Sequence, residues 1–328
     1  MNKPLLNIDN LKVYYPIYGG GFFKRQKKNI KAVDGIDLTI GQGEVIGLVG
    51  ESGCGKSTIA RAVMCLIKLT SGSIILEGDD LNKLSSKELK RKRPEFQMVF
   101  QDPFASLNPR MTVFSILAEP LLYHKLASKS ELTGVLLNIL EEVGLSPRDM
   151  GKYPHEFSGG QLQRIAIAKA LALRPKLIIA DEPVSALDVS IRSQILNLLL
   201  RLIKDHSLTL LFISHDLSVI RHISDRIAVM YLGKIVETGS NEQVYFYPAH
   251  PYTEALLSAV PVPDPDKEKS RQRIVLEGEP PSPINPPTGC RFHPRCWYAR
   301  EKCSQVEPQL ELKGDGHMVA CFRFEWDS

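Results

Sequence analysis

The sequence predicts an α/β fold built on a mainly parallel sheet with helices on both faces. Short apolar runs typical of buried strands alternate with segments of helical periodicity along much of the 328 residues. The stretch from about 102 to 174 favours helices, which indicates a helical subdomain inserted into a domain spanning 1–258. From 259 to 328 prolines are frequent, so we expect a separate region held in extended and turn conformations.

The individual elements follow from local pattern. Apolar runs of strand length predict strands at 44–49, 97–101, 177–180, 209–213 and 226–231. A turn at Leu232-Gly233 between two such runs predicts a hairpin. A helix facing the core is predicted over 189–204 by one apolar stripe, formed by Ile191, Ile195, Leu198, Leu199 and Leu202.

Composition is that of an ordinary globular chain. The formal charge of +4 comes from 41 basic and 37 acidic side chains, which is too mild to imply a nucleic-acid partner. No apolar run approaches the roughly eighteen residues of a spanning helix, so we expect a cytoplasmic protein, and any membrane role should be peripheral, through contact with separate spanning subunits. A basic segment predicts an exposed insertion, either a solvated loop or a contact for phospholipid or a partner; it contains Lys24, Arg25, Lys27, Lys28 and Lys31.

A glycine-rich segment between a predicted strand and an apolar helix predicts a phosphate-binding loop. Its glycines allow the tight curvature that turns backbone N–H groups inward, and the following helix adds its positive end. Lys56 can reach the β- and γ-phosphates, and the Ser57 hydroxyl can ligate Mg²⁺. A glycine-rich turn that matches by chance is the alternative. The nucleotide-binding residues predicted here are Gly50, Glu51, Ser52, Gly53, Cys54, Gly55, Lys56, Ser57 and Thr58.

Two adjacent acids follow the apolar run at 177–180. Asp181 can hold Mg²⁺ through water, and Glu182 is free to polarise the attacking water. An acidic strand end that caps a neighbouring helix is the alternative. Gln101 closes another strand-like run, where its amide can bind a metal-bound water and the attacking water. His215 follows the run at 209–213 and can contact the γ-phosphate.

A second anion-binding helix start is predicted at Ser158-Gly159-Gly160-Gln161. Ser158 precedes a helical pattern and is expected to cap it, which leaves glycine N–H groups exposed as anion donors. Because the first loop already encloses one set of phosphates, this surface is best explained if it meets a nucleotide held by another subunit. An ordinary helix cap is the local alternative.

The order of these motifs resembles the ATPase subunits of ATP-binding cassette (ABC) transporters, over about 5–258. The resemblance implies an ABC-type P-loop ATPase core that binds ATP and Mg²⁺, with catalytic Lys56, Gln101, Glu182 and His215. It also implies a D-loop at 185–188 that brings Asp188 to a dimer interface. Tyr15 is expected to stack on adenine, with Tyr14 and Phe22 as alternatives.

Narrower matches at 100–103, 106–109 and 248–257 resemble the ATPases of oligopeptide and dipeptide importers, and the basic insertion at 19–31 resembles that of the second, F-type, of the two ATPases. That resemblance implies ATP-driven dimer closure and hydrolysis on the cytoplasmic face of the membrane. The implied partners are a different ABC ATPase, two membrane-spanning permeases and an external peptide-binding protein. Three alternatives remain open: nickel or another small solute as cargo, a soluble ABC ATPase of translation or repair, and a redox-responsive subunit.

Four of the six cysteines lie in the last forty residues or so, at Cys290, Cys296, Cys303 and Cys321. A cytoplasmic protein keeps thiols reduced, which disfavours disulfides, but the spacing lacks Cys-x-x-Cys pairs and leaves metal binding and unrelated thiols both open. The segment 287–296 resembles the C-terminal region of peptide-importer ATPases, some of which hold a [4Fe-4S] cluster. That resemblance implies an iron–sulfur cluster on the four thiolates, with zinc as the alternative and His293 and His317 as substitute ligands.

Overall fold

The computed structural model describes residues 4–19, 26–261 and 273–325. They fall into two compact units. Among the described residues, the first is formed by 4–5, 40–45 and 76–213, and the second by 6–19, 26–39, 46–75, 214–261 and 273–325. Within the described ranges, no helix is both long enough and apolar enough to cross a membrane.

Strands and helices alternate along the chain, as the predicted α/β class requires. The strands are β1 Pro4–Gly19, β2 Gln26–Gly41, β3 Val45–Val49, β4 Ser71–Leu76, β5 Asp79–Asp80, β6 Phe96–Val99, β7 Leu177–Asp181, β8 Thr209–Ser214, β9 Arg226–Tyr231, β10 Lys234–Ser240, β11 Glu311–Gly314 and β12 His317–Val319. The α-helices are α1 Lys56–Val63, α2 Ser86–Lys92, α3 Pro103–Ser106, α4 Val113–Tyr123, α5 Leu132–Glu142, α6 Gly159–Leu171, α7 Val189–His206, α8 Leu217–Ile223, α9 Asn241–Phe246, α10 Pro251–Ser258 and α11 Glu301–Gln305.

The first unit contains three parallel strands. β7 pairs with β6 on one side, where Leu177 lies opposite Phe96, and with β8 on the other, where Asp181 lies opposite Ile213. All five residues of β7 are buried. Strands that run in parallel end at the same edge of the sheet, so the residues that follow β6, β7 and β8 share one edge.

Helices fill the segment between β6 and β7. Every regular element between residues 102 and 174, all of which are described, is helical: α3, α4, α5, α6 and two 3₁₀ turns at Pro147–Gly151 and Pro154–Glu156. The segment is therefore helical, as its pattern predicts. The bounds of separate domains, at 102–174 and after 258, stay a prediction.

Helices α6 and α7 of the first unit pack closely because a glycine lies at their contact. The predicted stripe on α7 is buried at Ile195, Leu198, Leu199 and Leu202, whereas Ile191 is half-buried. A Cβ atom on Gly160 of α6 would lie only 2.5 Å from the Cγ2 atom of Ile191. The absence of a side chain at Gly160 therefore allows the start of α6 to approach α7.

The second unit combines parallel and antiparallel pairing. β3 runs parallel to β9, which turns through Leu232 and Gly233 into antiparallel β10, the predicted hairpin. β12 then pairs with β10 and with β11, both antiparallel. The expectation that the C-terminal region holds only extended and turn conformations, without central strands, is wrong for β12, which lies between β10 and β11; no proline follows Pro308.

A second sheet of this unit places β1 between β2 and β4. Its β2 begins at Gln26, so the predicted solvated loop is wrong for 26–31, which form the start of a strand. The side chain of Lys28 is exposed, and that of Lys31 is half-buried with its Nζ atom 4.0 Å from Asp34. Lys24 and Arg25 lie outside the described residues, and the side chain of Lys27 is not described.

One buried carboxylate ties the end of the chain into the second unit. Glu237 of β10 has no exposed surface. It accepts hydrogen bonds from the backbone N–H groups of Ala249 (2.8 Å) and His250 (2.9 Å) and lies 2.7 Å from Nε2 of His317. Glu237 thus joins β10, the segment before α10 and β12. Its carboxylate satisfies two backbone N–H groups and a histidine that would otherwise be costly to bury.

Replacing Gly160 with alanine should lower the free energy of unfolding by about 1–3 kcal/mol, the usual cost of overpacking. The β-branched side chain of Ile191 has little freedom to turn aside. Gly159→Ala is the matched control, since its Cβ would lie 3.6 Å from Leu187, an ordinary contact. Urea unfolding followed by circular dichroism measures both variants, and equal stabilities would contradict the packing described here.

Candidate functional site

The predicted phosphate loop connects β3 to α1 in the second unit, and its glycines serve two different needs. Gly53 and Gly55 have φ angles of 80° and 113°, which other residues rarely adopt. Gly50 instead faces a steric limit, because a Cβ atom there would lie 2.1 Å from the carbonyl oxygen of Met230. Curvature thus requires Gly53 and Gly55, and close backbone approach requires Gly50 and also Gly55, whose Cβ would lie 2.1 Å from the carbonyl oxygen of Ala32.

Lys56 begins α1 and is buried, with 4% of its surface exposed. Its Nζ atom donates to the carbonyl oxygens of Gly50 (2.8 Å) and Glu51 (3.0 Å), so the ammonium group lies within the curve of the loop. Burial raises the pKa of the neighbouring Cys54 thiol, an effect that the positive charge of Lys56 partly opposes. Ser57 and Thr58 follow in the first turn of the helix and are half-buried. The loop therefore presents a cation and a helix N-terminus, the features that bind phosphate.

The acidic pair lies at the end of β7 in the first unit. Asp181 is the last strand residue and is buried, while Glu182 is half-buried with a left-handed φ of 48°. The backbone N–H of Glu182 donates to the carbonyl oxygen of Ile213 at 3.0 Å. A non-glycine residue in this conformation is strained by about 1–3 kcal/mol, and such strain is typical of functional sites.

Gln101 reaches the same acidic pair. The predicted strand at 97–101 is wrong at both ends, since β6 spans Phe96–Val99 and Gln101 lies two residues beyond it. From there its Nε2 atom donates to Oε2 of Glu182 at 3.2 Å. The structure therefore brings together an amide and a carboxylate that are 81 positions apart in the sequence.

The Ser158–Gln161 segment begins α6 as predicted. Ser158 is the N-cap, its Oγ atom accepts the N–H of Gln161 at 3.4 Å, and Oε1 of Gln161 accepts the N–H of Ser158 at 3.0 Å. Ser158 and Gly159 are exposed, whereas Phe157 is buried. This reciprocal capping fixes the first turn of the helix at the surface of the first unit. Asp188 is also exposed, at the N-cap of α7.

Of the aromatic residues predicted to contact adenine, Tyr15 is half-buried. Tyr14 is engaged elsewhere, since its hydroxyl donates to the carboxylate of Asp34. Burial and that hydrogen bond raise the pKa of Tyr14 to about 12. Phe22 lies outside the described residues. Tyr15, the phosphate loop and exposed His215 belong to the second unit, whereas Gln101, Asp181, Glu182, Asp188 and the start of α6 belong to the first.

The four C-terminal cysteines line one cavity of about 20 Å³, close to the volume of one water-sized sphere. Burial raises the pKa of Cys290 to about 12 and that of Cys296 to about 11. His293 also lines the cavity, whereas His317 does not and contacts Glu237 instead. As arranged, no group of three or more Cys, His, Asp or Glu side chains in the described ranges could hold a metal ion. The four thiols therefore lie around one cavity, but they are not arranged as the ligand shell of a metal ion.

Sequence reasoning missed two side chains that contact the phosphate loop. Tyr252 of α10 accepts the N–H of Glu51, and Arg295 binds the Glu51 carboxylate. Both lie in segments whose resemblance to peptide-importer ATPases is visible in the sequence, around 248–257 and 287–296. That resemblance identifies the segments, but no local pattern reveals that they contact a residue about 200 positions or more away.

Two family models match the chain in separate parts. Residues 33–185 match the model "ABC transporter", and residues 236–303 match "Oligopeptide/dipeptide transporter, C-terminal region". The first match includes the phosphate loop, the start of α6 and the acidic pair, while the second includes Cys290, Cys296 and Cys303.

Curated relatives match the chain over nearly its whole length. The oligopeptide transport ATP-binding protein OppF of Salmonella typhimurium is 52% identical over 325 residues, covering 98% of this chain and 97% of the relative. AppF of Bacillus subtilis, with the same description, is 52% identical, covering 97% of each chain. The dipeptide transport ATP-binding protein DppF of Haemophilus influenzae is 49% identical, covering 99% and 98%.

Solved structures support the same assignment. The chain is similar to the ATP-binding cassette MJ0796 in a dimeric, post-hydrolysis state bound to ADP and Pi, with a TM-score of 0.63 and 30% identity. That match covers 72% of this chain and 98% of the other. It is also similar to cbiO1 of Clostridium perfringens, part of the transporter complex cbiONQ, with a TM-score of 0.63 and 26% identity over 74% and 91% of the two chains. The chain therefore belongs to the ATP-binding proteins of the ABC transporter family, in the group that carries the oligopeptide/dipeptide transporter C-terminal region.

Proposed function

We propose that this chain hydrolyses ATP to energise the import of peptides through an ABC transporter. Relatives of about half identical sequence, matched over almost their full length, are described as oligopeptide and dipeptide transport ATP-binding proteins. The match of residues 236–303 to the C-terminal region of these transporters supports peptides rather than nickel or another small solute as the cargo.

The phosphate loop has the chemistry for the first step, binding of the triphosphate. Backbone N–H groups and the N-terminus of α1 bind phosphate oxygens, and Lys56 neutralises charge on the β- and γ-phosphates. Ser57, Gln101 and Asp181 are the oxygen donors that would hold Mg²⁺, which neutralises the charge that develops on the phosphates. Tyr15 is the aromatic residue that we assign to adenine.

The pairing of Glu182 with Gln101 is the observation that carries the hydrolytic role. The backbone of Glu182 is held in a strained conformation, and its Oε2 atom accepts a hydrogen bond from Gln101 at 3.2 Å. A carboxylate fixed in this way can accept the proton of the attacking water, while the amide of Gln101 orients that water. His215 is assigned to the γ-phosphate.

The exposed start of α6 supports a dimeric mechanism. Ser158, Gly159, Gly160 and Gln161 form a capped helix N-terminus at the surface, a second place where phosphate can bind. We assign this surface to the ATP of a partner subunit, with Asp188 at the same interface. Closure of the pair around two ATP molecules then drives the change of access in the membrane, and hydrolysis resets it. MJ0796, similar in structure, has been solved as a dimer.

The proposed partners are two membrane-spanning permeases, an external peptide-binding protein and a second, different ABC ATPase. In that assembly the chain lies peripherally on the cytoplasmic face of the membrane. Purification from native membranes tests this arrangement directly. Co-isolation with two multi-spanning proteins is expected, whereas association with ribosomes or DNA would contradict a transport role.

We further propose that Cys290, Cys296, Cys303 and Cys321 hold a [4Fe-4S] cluster, with zinc as the alternative. The four side chains would have to move to bind either group, since as arranged they form no ligand shell. All four thiols line one cavity, and a set of four sulfur donors suits either iron–sulfur or zinc. Such a group would join two turns, the helix α11 and the segment after β12, and so staple a region with little regular structure.

Replacing Glu182 with glutamine should lower steady-state ATP hydrolysis by about 10²- to 10⁴-fold, the usual contribution of a general base. Binding of ATP should persist, because the phosphate loop is unchanged, so the variant should retain ATP and stay dimeric on gel filtration. Glu242→Gln makes the same chemical change at an exposed position of α9 and serves as control. Unchanged hydrolysis by Glu182→Gln would refute the assigned role.

Protein purified without oxygen should be brown and contain iron together with acid-labile sulfide. Cys296→Ser should lose most of both, because one of four ligands is removed, while Cys65→Ser should keep them. Cys65 lies outside the cavity and is therefore the matched control. A colourless protein that contains zinc would overturn the iron–sulfur assignment.

A further inference from the structure

An arginine of the C-terminal region binds the phosphate loop directly. Nη1 of Arg295 donates to both carboxylate oxygens of Glu51, at 2.9 and 3.3 Å, and Nη2 donates to Oε1 at 3.2 Å. Only 7% of the arginine side chain is exposed, against 27% for that of Glu51. The guanidinium group is thus a buried, forked donor, the geometry in which arginine binds a carboxylate most strongly.

The main chain of the same loop residue is also held by the second unit. The N–H of Glu51 donates to the hydroxyl of Tyr252 at 2.8 Å. Tyr252 packs on Tyr231 and Phe292, with ring centroids 4.7 and 5.4 Å away. Tyr231 in turn accepts a hydrogen bond from Arg295 at 3.4 Å. Both ends of Glu51 are therefore fixed by one cluster of aromatic residues and an arginine.

The charge of Glu51 gives this contact a consequence for nucleotide binding. A carboxylate in a loop that encloses a triphosphate repels the ligand unless a cation offsets it. A guanidinium group stays charged throughout the physiological pH range, and Arg295 places it against the Glu51 carboxylate. Lys56, the cation within the loop itself, donates to the main-chain oxygens of Gly50 and Glu51 and not to the Glu51 carboxylate. Arg295 is thus the side chain that neutralises Glu51.

We propose that Arg295 is a positioning residue for ATP binding, which holds Glu51 in place and cancels its charge so that the loop can accept the triphosphate. This inference rests on the proposed role of the phosphate loop. Arg295 acts through Glu51, so its removal should weaken binding of ATP more than it slows the chemical step.

Arg295→Met removes the charge but keeps most of the side-chain volume. It should raise the KM for ATP about tenfold, equivalent to about 1.4 kcal/mol, while kcat changes by no more than about twofold. Glu51→Gln in the same background should restore most of the affinity, because the uncompensated carboxylate is then gone. Arg295→Lys keeps the charge but not the forked pair of donors, so its KM should lie between those of the wild type and Arg295→Met. ATPase assays of the assembled transporter measure these values.

Two controls distinguish a positioning role of Arg295 from a purely structural one. Lys302→Ala breaks an exposed ion pair with Glu325 in the same C-terminal region and should leave the KM unchanged. Thermal melting is measured for every variant. A lowered melting temperature of Arg295→Met with an unchanged KM, or no rescue by Glu51→Gln, would reduce Arg295 to a structural role and overturn the inference.

Binding of fluorescent ATP to the purified chain distinguishes a failure of the inference about Arg295 from a failure of the proposed ATP site. Lys56→Ala should abolish binding whatever Arg295 does. Undiminished binding by Lys56→Ala would overturn the loop as the ATP site, and the inference with it. If Arg295→Met does not fold, Arg295→Lys alone decides: a raised KM that Glu51→Gln lowers supports the inference, and a wild-type KM overturns it.

Discussion

Close approach of backbone to backbone around the phosphate loop is the constraint on which the second unit depends. A Cβ atom on Gly50 would lie 2.1 Å from the carbonyl oxygen of Met230, and one on Gly55 would meet a carbonyl oxygen of β2 at the same distance. The N–H of Gly233 donates to the carbonyl oxygen of Cys54 at 2.9 Å. Neighbouring main-chain segments therefore fix the loop, and its shape determines where its N–H groups point.

Much of this architecture could be predicted because its signals are local. β9 spans the predicted residues without change, and β7, β8 and α7 extend one or two residues beyond the predictions. Each is a continuous apolar run or a strong helical stripe, so burial and local pattern agree. The cap at Ser158 was equally readable, since a serine three residues before a glutamine is itself a capping signal.

Features that depend on distant contacts could not be predicted in this way. β6 ends at Val99 although the apolar pattern continues to Phe100, and Phe100 is 41% exposed. β12 is short and of mixed polarity, and it pairs because β10 offers an edge. The ion pair between Arg295 and Glu51 joins residues 244 positions apart, and charged residues show no periodicity that would identify such partners.

Side chains of the C-terminal region reach the rest of the second unit, in addition to the pairing of β12 with β10. Arg291 donates to the Leu232 carbonyl oxygen and to Asp34, and Phe292 fills the aromatic cluster with its ring 5.2 Å from that of Tyr231. Arg295 adds the contact with the phosphate loop. These anchors occupy the turn between two of the cysteines, so whatever fixes the sulfur atoms also fixes the arginines. The C-terminal region thereby helps to hold the phosphate loop in place.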